Sequence, residues 1–377
     1  MAKLSLIQLR SIVADYVKSN KISVDTFEVT KNNTVGLLDK IGKILHIPMS
    51  YNDKLEMFDG EFLSFGKTVE EWAGDLILPQ DFDASGEDAL TPSPSTYRPV
   101  YFSFTLGRKT IKQTIRNNDI ERAVHFEGQL VEIVAQKYKA LTDSETLLRY
   151  DMKKQALAVL IARCVYAMDP ANATAWSDAD HETINALFKA TAVATDVYTL
   201  VKKYTQGDAS SFDDAVAKGY LIKNQLVEEI AKPVDTSTGE DFVLAVKKDV
   251  EIASDISEGH SLNANTLGAT ETDGLVLLML QGINPVIDVE VLAGAFHTDK
   301  VALPSEIKVI NGFGNDSNNA YAILMDKRAM RLHNTYRAVR ENFNGSGDFL
   351  NLFFHTENTV HVSRNVFVKV YKVPSGS

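Results

Sequence analysis

The sequence predicts an α+β protein. Two observations carry that prediction, and a third adds an unusual feature. Apolar residues recur at spacings of three, four or seven through residues 118–165, the period of a helix. Residues 307–371 instead break into short strand-like runs separated by turn residues. Between the N-terminus and the helical region, residues 60–107 read as two strands flanking a Gly/Pro/Ser/Asp-rich tip, a long hairpin.

In chain order, Leu6, Leu9, Val13 and Val17 fall on one helical face, and a second short helix runs near Val35–Ile44 until Pro48 ends it. Neither helix is long enough to be stable alone, so the first 50 residues read as an arm that docks on something larger. Arg10 and Asp15 interrupt its apolar stretch, which argues against a signal peptide. In the hairpin, Phe62, Phe65, Trp72, Leu76 and Leu78 alternate with polar residues and Gly. The segment Asp81–Asp88 and Pro92, Pro94 and Pro99 form the tip, and Val100–Phe104 is the return strand. A hairpin of this length is marginal by itself, so it should lie against another surface.

Asn118 with Glu121 opens a helix that carries Ile120, Val124, Val131, Val134, Tyr138 and Leu141. Thr142 with Glu145 reads as the start of a second helix, through Leu148, Met152, Leu160 and Val165 to Asp169-Pro170. Helices are expected at Thr183–Tyr204 and Phe212–Ile230, the latter closed by Pro233 and Gly239, with strands at Phe242–Val246 and Leu275–Met279. That alternation suggests an α/β lobe. The tail strands are Ile307–Ile310, Ala322–Met325, Phe349–Phe354, Val360–Val362 and Val366–Tyr371.

A chain of 377 residues should form two or three lobes, and 45% hydrophobic with 24% charged residues is an ordinary globular balance. The net charge of −11 argues against a dedicated nucleic-acid-binding protein. A lone cysteine, Cys164, cannot form an internal disulfide and lies in an apolar run, where a buried thiol is expected. The apolar runs Ala156–Ala162 and Leu275–Leu280 are too short to span a membrane, so no membrane partner is expected. The sequons at Asn32 and Asn172 should then be idle.

Chemical motifs break down residue by residue. Gly66-Lys67-Thr68 resembles the end of a phosphate-binding loop, but the required glycine at position 61 is Glu61, and Phe62–Phe65 is too bulky to wrap a phosphate. Asp81, Asp83, Ser85 and Gly86 mimic a calcium loop whose twelfth position is Pro92 instead of Glu. His355 and His361 lie six residues apart in strand-like sequence, and His181-Glu182 lacks a second histidine four residues on. No Gly-x-Ser-x-Gly occurs, and no nucleophile stands out. No cofactor, metal or catalytic residue is therefore assigned.

Charge is distributed in blocks. Glu70 to Asp88 holds seven carboxylates and no base, including Glu70, Glu71, Asp81, Asp83, Glu87 and Asp88. Arg108 to Arg116 holds four bases and no acid. Lys327 to Arg340 holds Lys327, Arg328, Arg331, Arg337 and Arg340, plus His333, again with no acid. Three readings stay open: solvated faces, an inner surface facing packaged DNA, and complementary patches between subunits. On the last reading the acidic hairpin meets Lys327–Arg340 of a neighbour, with Arg108–Arg116 as second choice.

Gly66–Glu71, Asp288–Phe296 and Val309–Phe313 succeed one another in order, before a strand-rich tail with Val362-Ser363-Arg364. Together they resemble the major capsid proteins of small tailed bacteriophages of the phi29-like podovirus type, over roughly Asn33 to Tyr371. The resemblance implies a Hong Kong 97-like capsid fold with an N-terminal arm (1–50), an extended hairpin loop and its base (51–116), a spine helix and peripheral lobe (117–190), an axial lobe (191–324) and return strands of the peripheral lobe (325–377). It implies a non-enzymatic major head protein that self-assembles as hexamers and pentamers into an icosahedral shell around double-stranded DNA. A scaffolding protein and a portal protein are the implied partners, with assembly in the host cytoplasm and a final place in the virion. The immunoglobulin-like domain that some relatives carry after the shell fold is expected to be absent, since Ser377 comes directly after the last strand. A cellular nanocompartment shell of the same fold and a cytoplasmic α/β enzyme are the alternatives.

Overall fold

In the computed structural model the described residues are 53–64, 66, 68–74, 97–101, 103–116, 127–165, 197–200, 210–218, 220–256, 268–288, 306–314, 319–363 and 365–374. The expected arm, the hairpin tip with its calcium-like residues, the Asn118 cap, Asp169-Pro170 and most of Asp288–Phe296 lie outside them. The chain divides into two compact units. The first gathers residues 1–67, 104–153 and 332–360, and the second 68–103, 154–331 and 361–377. Both helices and sheets are present, as an α+β chain requires.

The longest element is helix α1, Glu127–Val165, 39 residues and about 58 Å at 1.5 Å per residue. It corrects the expectation of two helices meeting at Thr142. The hydroxyls there do not cap a helix start but donate back to the preceding turn: Thr142 to the Lys139 carbonyl at 3.1 Å, Ser144 to Ala140 at 2.7 Å and Thr146 to Thr142 at 3.0 Å. Glu145, the expected capping partner, instead accepts from Arg337.

In the first unit a sheet is built around one long strand. β3 (Ser103–Thr105) and β4 (Lys109–Arg116) share one side of β12 (Phe349–Val362), and β11 (Met330–Asn344) takes the other. The two expected strands Phe349–Phe354 and Val360–Val362 are thus one. The pairing of β4 with β12 is antiparallel, running from Phe349 against Arg116 to Thr356 against Lys109. β11 is hidden in sequence by the basic residues of Lys327–Arg340.

The second unit contains the hairpin root, β1 (Glu70–Gly74) paired antiparallel with β2 (Tyr97–Tyr101). Its core is a five-stranded sheet of order β7 (Val227–Glu229), β13 (Val368–Lys372), β10 (Ala320–Asp326), β8 (Leu275–Leu280), β9 (Glu306–Ile310). The two edge pairs are parallel and the two central pairs antiparallel. Continuous apolar runs such as Leu275–Met279 are buried on both faces, which is why they are legible without alternation.

Helix α3, Thr236–Ser254, packs on this sheet and overturns the expected strand at Phe242–Val246. A reciprocal cap between Asp235 and Thr238 starts it. Its buried residues Phe242, Val246, Asp249 and Ala253 recur at helical spacing, and the Phe242 ring lies 5.6 Å from Tyr321 and 5.3 Å from Tyr371. Gly239 sits inside this helix instead of closing another. The helix expected at Phe212–Ile230 is likewise corrected: α2 ends after Phe212–Ala217, before β6 (Leu221–Lys223) and β7. Asn224 makes the turn between β6 and β7. Its amide donates to the Cys164 carbonyl at 2.7 Å and its side-chain oxygen accepts from Leu226 at 3.0 Å, a local turn that competes with helix. Tyr198–Leu200, inside the expected helix Thr183–Tyr204, is strand β5 paired with β6. A short helix α4, Ile283–Val286, comes after β8.

Candidate subunit interface

The residues that anchor the two expected assembly segments form buried polar sites, one in each unit. In the first unit, Asp53 to Leu63 leads into the hairpin. Gly60 N–H donates to the Leu332 carbonyl at 2.9 Å and Leu63 N–H to Asn334 at 2.9 Å, so this segment runs as an added edge on β11. A Cβ at Gly60 would enter the His333 ring, which is why the crossing needs glycine. Leu55 and Phe58 are fully buried and supply the apolar part of the anchor.

Beneath them lies an ion-pair clasp. Lys153 on α1 has no exposed side-chain surface. Its Nζ sits 2.6 Å from Asp53 Oδ2 and 2.6 Å from Asp59 Oδ1. Arg149, one turn earlier, donates to Asp59 Oδ1 at 2.7 Å and to Asn334 Oδ1 at 2.7 Å. Asp53 Oδ1 accepts from the Leu55 amide at 2.8 Å. Two carboxylates and two bases thus neutralise one another where helix, β11 and the hairpin-leading segment meet. A buried pair of this kind contributes specificity of placement more than net stability. No sequence motif announces it, because Asp53 and Lys153 lie 100 residues apart.

In the second unit, the hairpin root is held by Glu71. Its Oε2 accepts from Asn365 Nδ2 at 3.2 Å, and its Oε1 lies 3.5 Å from His361 Nε2, the outer limit of a useful contact. Val69 N–H donates to Ser103 Oγ at 3.1 Å across the root. Glu70 is exposed, while Asp81, Asp83, Glu87 and Asp88 lie outside the described residues.

The basic run Lys327–Arg340 does not form one free patch. Lys327 Nζ reaches Glu306 at 2.8 Å and the Asp273 carbonyl at 2.8 Å. That contact, with Lys308 beside it, holds the Glu306 carboxyl below its ordinary range. Arg328 is bound to Asp326 at 2.7 Å. Burial would raise Asp326, but bonds from the Arg328 side chain and backbone and from Thr270 outweigh it and leave the carboxyl lowered. Arg331 is half-buried, Arg337 is engaged with Glu145 and lies 5.3 Å from the Phe354 ring centroid, and Arg340 is exposed. Of the second basic run, Arg108 bonds Glu357 at 3.3 Å, while Lys109, Lys112 and Arg116 stand exposed on β4.

A second buried polar cluster fixes α3 to its sheet. Tyr371 donates to Asp249 Oδ2 at 2.6 Å, and Lys369 lies 3.3 Å from Asp249 and 3.5 Å from Glu228. Burial, and then the neighbouring Asp249 charge, push the Glu228 carboxyl upward. Cys164 is fully buried and its thiol is pushed up to about 12, which makes it a packing residue. Among the described residues no group of three or more His, Cys, Asp or Glu is arranged to hold a metal, and no helix is long and apolar enough to cross a membrane.

Comparison with known proteins adds the context for these anchors. The family described as Phi29-like phage major capsid protein matches residues 8–368. A major capsid protein of Bacillus phage B103 is 21% identical over 329 residues, covering 87% of this chain but 60% of the relative, so this chain spans about three-fifths of that protein's length. Among solved structures, a chain of the capsid structure of Staphylococcus phage Andhra superposes with a TM-score of 0.55 at 10% identity, over 87% of this chain and 86% of that one. A chain in the structure of the head fiber and inner core protein gp22 of native bacteriophage P68 gives 0.51 at 10% identity, over 86% of each. At such identities these two likenesses speak to fold alone.

Proposed function

Because the chain belongs to the Phi29-like phage major capsid protein family, we propose that it is the head-shell subunit of a tailed bacteriophage and that its activity is association with copies of itself. The observation that carries this reading is the family match across residues 8–368, nearly the whole chain. The mixed fold shared with a phage capsid chain supports it. Copies gather as hexamers and pentamers and close into an icosahedral shell around double-stranded DNA. The mechanism is burial of surface, without catalysis; obligate interfaces of this kind cover about 2,000–5,000 Å².

Within this reading the fold is Hong Kong 97-like. Residues 1–50 act as an arm, 51–116 as the extended loop and its base, 117–190 as spine helix and peripheral lobe, 191–324 as axial lobe, and 325–377 as return strands. The Lys153 clasp and the Glu71 contacts then give rigid roots to segments that reach a neighbour, so that chain entropy is lost in folding and not at assembly. Glu70, Asp81, Asp83, Glu87 and Asp88 are the acidic side of that contact. On the basic side Arg340 is exposed, whereas Lys327, Arg328 and Arg337 already have partners in their own chain. A scaffolding protein and a portal are the further partners, assembly takes place in the host cytoplasm, and the mature protein resides in the virion.

The test is the content of purified particles. Particles that contain this chain as their main protein and protect double-stranded DNA from nuclease support the reading. Particles filled with an enzyme and no genome point to a nanocompartment, and absence of particles overturns the shell.

A further inference from the structure

We propose that the exposed face of the β4–β12 ribbon binds the phosphate backbone of double-stranded DNA; the proposal rests on the reading of the chain as a shell subunit and names the surface that meets the enclosed genome. Successive side chains of strand β4 point to opposite faces. Ile111 and Ile115 occupy one face and Ile115 is buried, while Arg108, Thr110, Lys112, Thr114 and Arg116 occupy the other. The bases on that face recur every fourth residue, about 13 Å apart at strand rise. Across the ladder, Lys112 stands opposite Phe353, Thr110 opposite His355 and Arg116 opposite Phe349.

The polar groups between the bases are already satisfied. Thr110 Oγ1 lies 2.8 Å from His355 Nδ1, and Thr114 donates to Asn351 at 2.7 Å. The rings form a floor instead of a stacking platform for bases: Phe353 and His355 are parallel at 6.2 Å, and Lys112 Nζ lies 5.6 Å over Phe353. Glu357 pairs with Arg108 at 3.3 Å. Lys112 and Arg116 make no ion pair among the described residues and stand exposed, whereas Lys109 lies on the opposite, Ile111-bearing face.

This arrangement offers cations and little else. A peptide laid across it, such as the acidic hairpin of another copy, would bring backbone N–H donors as well as acceptors, and the exposed bases can answer only the acceptors. A phosphodiester backbone brings only acceptors. It also carries a charge about every 3.4 Å per strand, so a phosphate lies within reach of each base whatever the sequence. The expected contact is weak per subunit and repeated over the inner surface of a shell.

The test is fluorescence anisotropy of the full chain with a duplex of about 30 base pairs and arbitrary sequence, from about 50 to about 200 mM salt. Lys112→Gln with Arg116→Gln should weaken binding at the lowest salt by roughly tenfold and make the log–log salt slope shallower by about 1.8, at about 0.9 per lost phosphate contact. Lys232→Gln with Lys248→Gln, exposed bases elsewhere, changes net charge equally and should leave both unchanged. Equal DNA binding by the β4 variant and wild type overturns the proposal. So does a β4 variant that binds DNA normally but no longer forms particles, since the face would then dock another copy. Failure of the wild-type chain to form particles would defeat the shell reading, while the anisotropy comparison would still decide this one.

Discussion

Lys153→Met is the most informative single change. It keeps the length and apolar stem of the side chain and removes only the cation. Asp53, whose side chain is 2% exposed, then loses its 2.6 Å partner and keeps the Leu55 amide. Asp59 retains Arg149. Leaving one buried carboxylate without its cation costs about 3–5 kcal/mol. With a urea dependence of about 2 kcal/mol per molar, the unfolding midpoint should fall by about 2 M. Tryptophan fluorescence and circular dichroism through a urea titration measure this. The double variant Lys153→Met with Asp53→Asn removes both charges and should recover at least half of the loss, because a neutral pair carries no stranded charge. If Lys153→Met unfolds within about 1 kcal/mol of wild type, the clasp does not anchor the segment, since a stranded buried charge cannot be that mild.

Three further outcomes are expected. Glu228 has a raised carboxyl, so its contribution to stability is fullest in acid, below the ordinary Glu range, and is lost as pH rises through the folded-state value. Glu228→Gln should therefore gain on wild type in thermal stability with rising pH, and a variant that falls further behind as pH rises would refute the assignment. Reversing Glu87 and Asp88 to Lys should block particle formation while circular dichroism stays unchanged; normal particles would mean that the hairpin acids are only a solvated face. Because Thr68 to Tyr97 contains no lysine, the hairpin cannot donate one from its tip to a Lys–Asn crosslink, so mature particles should run on a denaturing gel as monomers in a single band, and a ladder of covalent multimers would contradict this.

Legibility in the sequence depends on whether the signal is local. Strands β8, β9 and β10 are legible because apolar runs bounded by turn residues can hardly be anything else in a buried sheet. The run Phe242–Val246 has the same look, yet it is helix, because the cap at Asp235 and Thr238 and the buried Asp249 and Ala253 beyond it set a period of 3.6. Thr142 and Glu145 mimic a cap within a continuous helix, since hydroxyls can bond backwards as well as forwards. β11 escapes a sequence reading because its bases suggest a solvated surface, whereas Arg337 folds inward to Glu145. The clasp is beyond sequence reasoning altogether. Asp53, Asp59, Arg149 and Lys153 are ordinary charges until the fold brings them together.

Self-association into a closed shell can be seen outright by negative-stain microscopy of the purified chain, alone and with the proposed scaffolding partner. Closed, uniform particles or their capsomer-like pieces are expected, with the scaffold improving closure. A monodisperse small oligomer under both conditions, with no particles or curved sheets at any concentration, would contradict the shell.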